Sequence, residues 1–393
     1  MEDRRQTVTT ASTSDITRRD FVRTSALVVG SAAVGSAAGC GATDPPEPTA
    51  LVAATRGNNL DTMTRDALDG VGGIGRVVHE GEIVFIKPNM VTLPWAQTSD
   101  RFTAGECTKP EIIIAVAEEC LRTGAAEVII GDGSQMPTMD WTLATTLDGS
   151  TNLVREAARL SSSYAGQVRV ASLETDSPDW VELPSRTYLG TIAVSSLVAR
   201  ADRVISLPVA KTHTSAQLTL SLKNFVGVTS LERYGTWMDA GYWDRGRVLD
   251  HSSARSIAEI YLDIVDGVKP DLAIIDFSYG VEGDGPGAGQ GNWRTVDLRQ
   301  RLGSWLLLAS TDLVAADATA ARVMSHDAPA MVQLRMAYEM GLGEIREDRI
   351  QVVGERLDDI RVEWQPARLM NALTQGSGAR PACPFARCAG HPV

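Results

Sequence analysis

Five cysteines occur in 393 residues, at 40, 107, 120, 383 and 388, and no two of them form a Cys-x-x-Cys run. A ferredoxin-type iron–sulfur cluster therefore cannot be read from this sequence. Positive charge is also short: the net charge is −12. The first forty residues contribute +1, so the remainder carries −13. That excludes a general nucleic-acid surface, although a local cluster of cations can still hold a small anion. No Gly-x-Gly-x-x-Gly sits at a strand-to-helix turn and no Walker A run occurs, which removes the usual grounds for a nucleotide site. No fixed-period repeat is present. The one small-residue apolar run near the start, residues 24–39, is too short to anchor well as a membrane span.

What is present is ordinary globular material, 44% hydrophobic and 22% charged. The length allows one large or two modest domains. Residues 1–40 read as a targeting segment. Thr17-Arg18-Arg19-Asp20-Phe21-Val22-Arg23 resembles a twin-arginine export motif, and the run that follows has the length of a signal h-region. Ala37-Ala38-Gly39-Cys40 resembles a lipobox, with Ala where Leu is usual. The expectation is an exported, periplasmic or otherwise extracytoplasmic protein. Its partners would be the export machinery, a small-molecule ligand and, through a lipid on Cys40, the membrane; no nucleic acid is expected. Ordinary signal-peptidase cleavage is the alternative at Cys40. Residues 41–50 form a Pro-rich tether, residues 51–364 the folded domain, and residues 365–393 a loosely packed tail. Cys383 and Cys388 read as a disulfide of an exported protein.

Within the domain, short apolar runs alternate with helical patterns. Strands are expected at 51–55, 83–86, 128–130, 168–173, 180–183, 204–207, 272–275, 304–309 and 350–353. Helices are expected at 59–68, 110–123, 151–160, 255–265, 312–324 and 328–340. Continuous apolar strands separated by helices predict an α/β fold with a mainly parallel sheet covered on both faces. Two lobes hinged around residues 230–255 are a further expectation.

The polar motifs share one position. Lys87-Pro88-Asn89, Asp132-Gly133-Ser134, Lys211-Thr212-His213 and Asp276 each stand just past an expected strand end, the edge where open α/β sheets bind ligands. Turn chemistry alone accounts for Pro88-Asn89 and Asp132-Gly133; it does not account for Lys87, Lys211 or His213. Pro208 reads as the end of its strand, leaving Lys211 and His213 in a polar turn. Lys223-Asn224 follows inside an apolar segment, and burying an unpaired cation is costly. Residues 280–291 hold six glycines, among them Gly283 and Gly285, whose amides can form an anion nest. Glu282 and Asp284 in the same loop make a cation or hydroxyl ligand an equal reading. Asp312 reads as a helix cap. Asp317 is a buried acid, either in the site or bonded to a neighbouring loop. Trp95, Trp141, Trp237, Trp243 and Trp293 lie in or beside these loops and suggest an aromatic roof, or simply loops packed down by bulky side chains. His79, His251 and His326 have no partner pattern and read as structural or surface residues.

Leu207-Pro208-Val209-Ala210-Lys211-Thr212-His213, followed by Lys223-Asn224-Phe225-Val226-Gly227, closely resembles the family called domain of unknown function 362. Ile86-Lys87-Pro88-Asn89, Gly131-Asp132-Gly133, residues 281–286, and Ala309-Ser310-Thr311-Asp312 with Asp317 resemble its other motifs. Some relatives carry an appended iron–sulfur module, which this chain lacks.

The resulting expectation is an enzyme acting on a small anionic or carbonyl-containing substrate. Lys87, Lys211 and Lys223 would fix the anion, and His213 would be the general acid/base. Asn89, Asp132, Gly133, Asn224, Gly283 and Gly285 would line a cofactor or ligand. Asp276 and Glu282 would hold a divalent metal. A non-catalytic ligand-binding lipoprotein is the alternative from another class. A redox role is a third, implied only by the iron–sulfur-bearing relatives.

Overall fold

Fifteen strands form among the described residues of the computed structural model, which are 47–286 and 292–368. In chain order they are β1 (Ala50–Gly57), β2 (Ile83–Pro88), β3 (Glu127–Asp132), β4 (Gln167–Ser172), β5 (Trp180–Pro184), β6 (Thr191–Ser195), β7 (Arg203–Leu207), β8 (Val209–His213), β9 (Gln217–Thr219), β10 (Thr236–Met238), β11 (Tyr242–Asp244), β12 (Leu272–Gly283), β13 (Trp293–Asp297), β14 (Trp305–Ser310) and β15 (Ile350–Gly354). The helices of two turns or more are α1 (Leu60–Gly70), α2 (Pro110–Arg122), α3 (Leu153–Ser163), α4 (Ala254–Val268), α5 (Leu313–Val323) and α6 (Val332–Glu339).

Local chemistry sets these boundaries. Asn59 accepts from Thr62 N–H at 3.0 Å and caps α1. Pro110 occupies the first turn of α2, where its missing N–H leaves no bond unmade. Ile112, Ile113, Val116, Ala117 and Cys120 form the buried stripe of α2. Asp312 caps α5 through Ala315 N–H at 2.9 Å, as its position in the sequence suggests.

The main sheet has the order β15-β1-β14-β12-β7-β2-β3-β4. Along it only β14 runs antiparallel to its neighbours; the other adjacent pairs are parallel. The fold is thus α/β with a mainly parallel sheet, as the apolar runs predict. From β2 the chain adds β3 and β4 on one side and later β7 and β12 on the other. The strand order therefore reverses between β2 and β7, and at such a switch point a crevice opens outside the carboxyl ends.

Several expectations change. The described residues fall in one compact unit rather than two lobes. Pro208 does not leave Lys211 and His213 in a turn. It interrupts the pairing of β7, its carbonyl accepts Asp276 N–H at 2.9 Å, and the chain resumes as β8 against β12 and β9. The missing N–H of proline breaks a ladder for one residue, and pairing with a new neighbour restores it. Strand β12 is twelve residues long, so Asp276 lies inside it, where its neighbour changes from β7 to β8. Gln365–Arg368 are not loosely packed. Gln365 O accepts Gly283 N–H at 2.9 Å and Gln365 N–H donates to the Glu282 carboxylate at 2.9 Å, Ala367 is fully buried, and Arg368 meets Asp284 at 2.5 Å. The targeting segment and the Cys383–Cys388 pair lie outside the described residues. Among those described, no helix is long and apolar enough to cross a membrane.

Candidate functional site

Strand ends at the switch point bring buried charges together. Lys87, at the end of β2, meets Asp132 Oδ1, at the end of β3, at 2.6 Å, and both side chains are nearly sealed from water. The same ammonium donates to Pro88 O at 2.8 Å and Asn224 Oδ1 at 3.3 Å. Asn224 Nδ2 in turn donates to Lys87 O at 2.8 Å and Ser206 Oγ at 3.1 Å. Asp132 Oδ2 accepts Met90 N–H at 2.6 Å. Burial pushes the Lys87 pKa down and the Asp132 carboxylate pulls it back up. This is an ion pair closed off from water.

A six-residue 3₁₀ segment, Lys223–Val228, lies directly on that pair. Gly227 permits the approach: a Cβ there would stand 2.6 Å from Asp132 Oδ1 and 3.0 Å from Lys87 Nζ. Gly133 donates its N–H to Gly227 O at 2.9 Å. From below, Asp317 on α5 fixes the start of the segment. It accepts Ser221 N–H at 2.8 Å, Ser221 Oγ–H at 2.5 Å and Leu222 N–H at 3.1 Å. Burial raises the Asp317 carboxyl to about 7. Of the two readings open for this acid, the structure takes the loop anchor.

Strand β8 places Lys211 and His213 two residues apart, hence on one face. Lys211 is fully buried and donates to Asn89 Oδ1 at 3.0 Å and Glu106 O at 2.9 Å, both neutral oxygens. Burial and the nearby Lys109 charge bring its pKa down to about 8, against the pull of Cys107 and Glu106. Lys223 is half-buried. Among the described residues its ammonium donates no hydrogen bond and meets no carboxylate within 4 Å. Burial first, and then the Lys211 and Lys87 charges, lower it to about 7.

Two imidazoles stand in the same field, their ring centres 6.4 Å apart. His213 Nδ1 accepts the N–H groups of Ser215 at 3.1 Å and Ala216 at 3.2 Å, so its proton is on Nε2. His251 Nδ1 lies 2.7 Å from Leu249 O, and a carbonyl only accepts, so its proton is on Nδ1 and Nε2 is bare. Burial and the Lys223 charge hold both rings neutral, His213 well below its ordinary range and His251 at about 3. His213 thus offers an N–H donor, not the open base that its ordinary pKa suggests.

Other expected ligands have different occupations. Asp276 faces Lys109, which is fully buried, at 3.2 Å, and accepts Ser278 N–H at 2.8 Å and Ser278 Oγ–H at 2.6 Å. Glu282 takes both arms of Arg301, at 2.7 and 2.9 Å, and the Gln365 N–H at 2.9 Å. Both carboxylates are therefore committed to internal cations rather than to a metal, and among the described residues no group of three His, Cys, Asp or Glu could hold one. The amides of Gly283, Asp284 and Gly285 donate to Gln365 O, Asn292 O and Gly283 O, so these three do not form an anion nest. Gly285 instead allows close packing, since a Cβ would stand 2.3 Å from Thr212 O. Trp141 is buried on Ser172, whereas Trp95 packs edge-on to Tyr242 and Trp237 to Trp243. Two clefts lie away from the Lys/His cluster. One, of about 480 Å³, is at the opposite, amino edge beside Arg76, Arg203 and Asp271; the other, of about 250 Å³, lies between Trp180 and Trp243.

A family model described as "Domain of unknown function (DUF362)" matches residues 84–322, well over half of the chain. The chain belongs to the DUF362 family. Every residue of the cluster falls inside the DUF362 match. The chain is 26% identical, over 72% of its length and 74% of the relative's, to "Thylakoid-associated protein sll1697" of Synechocystis sp. (strain ATCC 27184 / PCC 6803 / Kazusa). Among solved structures it overlaps the lactate racemase apoprotein from Thermoanaerobacterium thermosaccharolyticum (TM-score 0.31, 11% identical) and a protein from Thermotoga maritima (TM-score 0.32, 10% identical). These overlaps cover 59% and 55% of this chain, and about half of each of those chains, 52% and 49%.

Three residues of this cluster escape the motif reading. Lys109 hides as the residue before a helix-starting proline. Arg245 and His251 come from the connection before α4; Arg245 is buried and donates to Ser134 O at 2.8 Å and Thr229 O at 3.0 Å. One compositional signal finds Lys109. The chain has only five lysines beside 32 arginines, and four of the five, Lys87, Lys109, Lys211 and Lys223, belong to this cluster.

Proposed function

We propose that this protein is an exported enzyme that binds a small organic anion at the carboxyl edge of the sheet and acts on a carbonyl or hydroxyl group of that anion. Lys211 and Lys223 hold the anion, and His213 Nε2–H donates to the reacting oxygen. Lys87–Asp132 and Lys109–Asp276 are the framework that keeps these groups in place. The single observation behind this assignment is Lys223: a half-buried residue, at the switch point, whose ammonium has no partner among the described residues. An unpaired cation in such surroundings is unfavourable unless a ligand completes it.

The test is calorimetric titration with oxalate, pyruvate, lactate and phosphate in buffers of different ionisation heat. Amines held at about 7 and about 8 are partly deprotonated at neutral pH, so an anion that completes their charge draws in protons. From those two values, uptake is expected to rise from about 0.1 proton per site at pH 6 to about 1 at pH 7.5. Lys211→Met and Lys223→Met should abolish this uptake. Saturable binding with no proton uptake, or no binding of any of the four, would overturn the assignment.

A further inference from the structure

We infer that Lys223 is an amine nucleophile, and that the site takes a small oxo acid whose carbonyl carbon Lys223 attacks while Lys211 holds the carboxylate. This rests on the anion site proposed above and adds covalent chemistry to it. If charge alone were needed, arginine would serve, and the chain uses it 32 times. Guanidinium stays protonated throughout the biological range and cannot supply a free amine; lysine can. Lysine is withheld from almost the whole chain and kept here, with Lys269 the one exposed exception. Lys87 and Lys109 meet carboxylates at 2.6 and 3.2 Å, and Lys211 is held by Asn89 and Glu106. Only the Lys223 amine in the cluster is without a hydrogen bond or ion pair among the described residues, and the residue keeps part of its surface open. Neighbouring cations and burial supply free amine near neutral pH, which is how lysine nucleophiles are activated.

The two imidazoles complete the requirement for proton movement. His213 Nε2–H donates to the carbonyl oxygen as the bond from Lys223 Nζ to the carbonyl carbon forms and the C=O π pair moves onto oxygen. His251 Nε2, bare because Nδ1 is held by Leu249 O, accepts a hydrogen bond from the amine, and the proton that the amine releases passes through solvent to that oxygen. The result is a carbinolamine. The nitrogen lone pair then forms C=N as the C–O bond breaks, and the hydroxyl leaves as water with one proton from solvent. Amine, carbonyl compound and one proton become iminium and water, with no oxidant or reductant.

The experiment is reductive trapping of the whole protein. It is incubated with pyruvate, or with glyoxylate, at pH 7.5, reduced with borohydride, digested and mapped by mass spectrometry. The expected product is a carboxyethyl or carboxymethyl group on Lys223, at least tenfold above that on the exposed Lys269. Lys223→Arg should keep anion binding and abolish trapping. Lys211→Met should reduce trapping at Lys223 at least tenfold. Calorimetric binding of pyruvate without an adduct, or equal labelling of Lys223 and Lys269, overturns the nucleophile and leaves the anion site standing. Absence of both binding and adduct overturns the two together.

Discussion

Removing the Lys223 charge should change how stability depends on pH, in a direction fixed by its environment. In the unfolded chain a lysine titrates near 10.5, whereas in the fold Lys223 titrates at about 7. Between these values the unfolded chain holds a proton that the folded chain has lost. Stability of the empty protein therefore rises with pH across this window, by up to about 1.4 kcal/mol per unit. Integrated from pH 7 to pH 9, the contribution is about 2 kcal/mol, which partial exposure trims to about 1–2 kcal/mol. Lys223→Met lacks this term, and every other titrating group is common to both proteins. The assay is urea unfolding of wild type and Lys223→Met at half-unit steps from pH 6 to 9.5. The difference between the two should be largest at pH 6–7, with the variant the more stable, and should shrink as pH rises. Parallel profiles would show that Lys223 is ordinarily solvated and would refute the reasoning.

Lys87→Met should behave oppositely to Lys211→Met in the same assay. The first orphans buried Asp132 and should cost about 3–5 kcal/mol; the second breaks only bonds to neutral oxygens and should cost about 1 kcal/mol. Urea midpoints compare them directly, and equal losses would place Lys211 in the framework. Asp317→Ala removes three hydrogen bonds from the turn before Lys223 and should cost about 2–4 kcal/mol, with weakened anion binding beyond that loss. For the leader, replacing Arg18 and Arg19 by Lys should leave precursor in the cytoplasm, and Cys40→Ser should release folded protein from the membrane. Fractionation and immunoblotting read both; a Cys40→Ser protein still on the membrane would refute lipidation.

The fold was legible because buried strands and capped helices leave local marks. Ile83–Ile86, Val128–Ile130 and Leu272–Ile275 are apolar throughout, and Asn59, Pro110 and Asp312 bound their helices. Strand β8 was not legible, because a proline in sequence reads as a stop, whereas in space the strand exchanges one partner for another. The site was half legible for a related reason. Lys87 stands at the end of β2, and Lys211 and His213 come soon after the end of β7, which local pattern can find. The partners of Asp276 and Glu282 cannot be found that way, since Lys109 lies 167 residues from Asp276 and Arg301 reaches Glu282 from beyond the hairpin turn. The protonation of His213 depends on two amides that become donors only once the turn after β8 is formed. Composition carried what periodicity did not: five lysines among 37 basic residues point to the cluster without any alignment.

The central claim is that Lys211 and Lys223 form one anion site at the carboxyl edge of the sheet. A crystal structure grown with oxalate tests it most directly. The expected result is a carboxylate within hydrogen-bond distance of both Nζ atoms, with His213 Nε2–H directed at one of its oxygens. Oxalate bound only in the amino-edge cleft beside Arg76 and Arg203, with Lys223 still unpartnered, would contradict it.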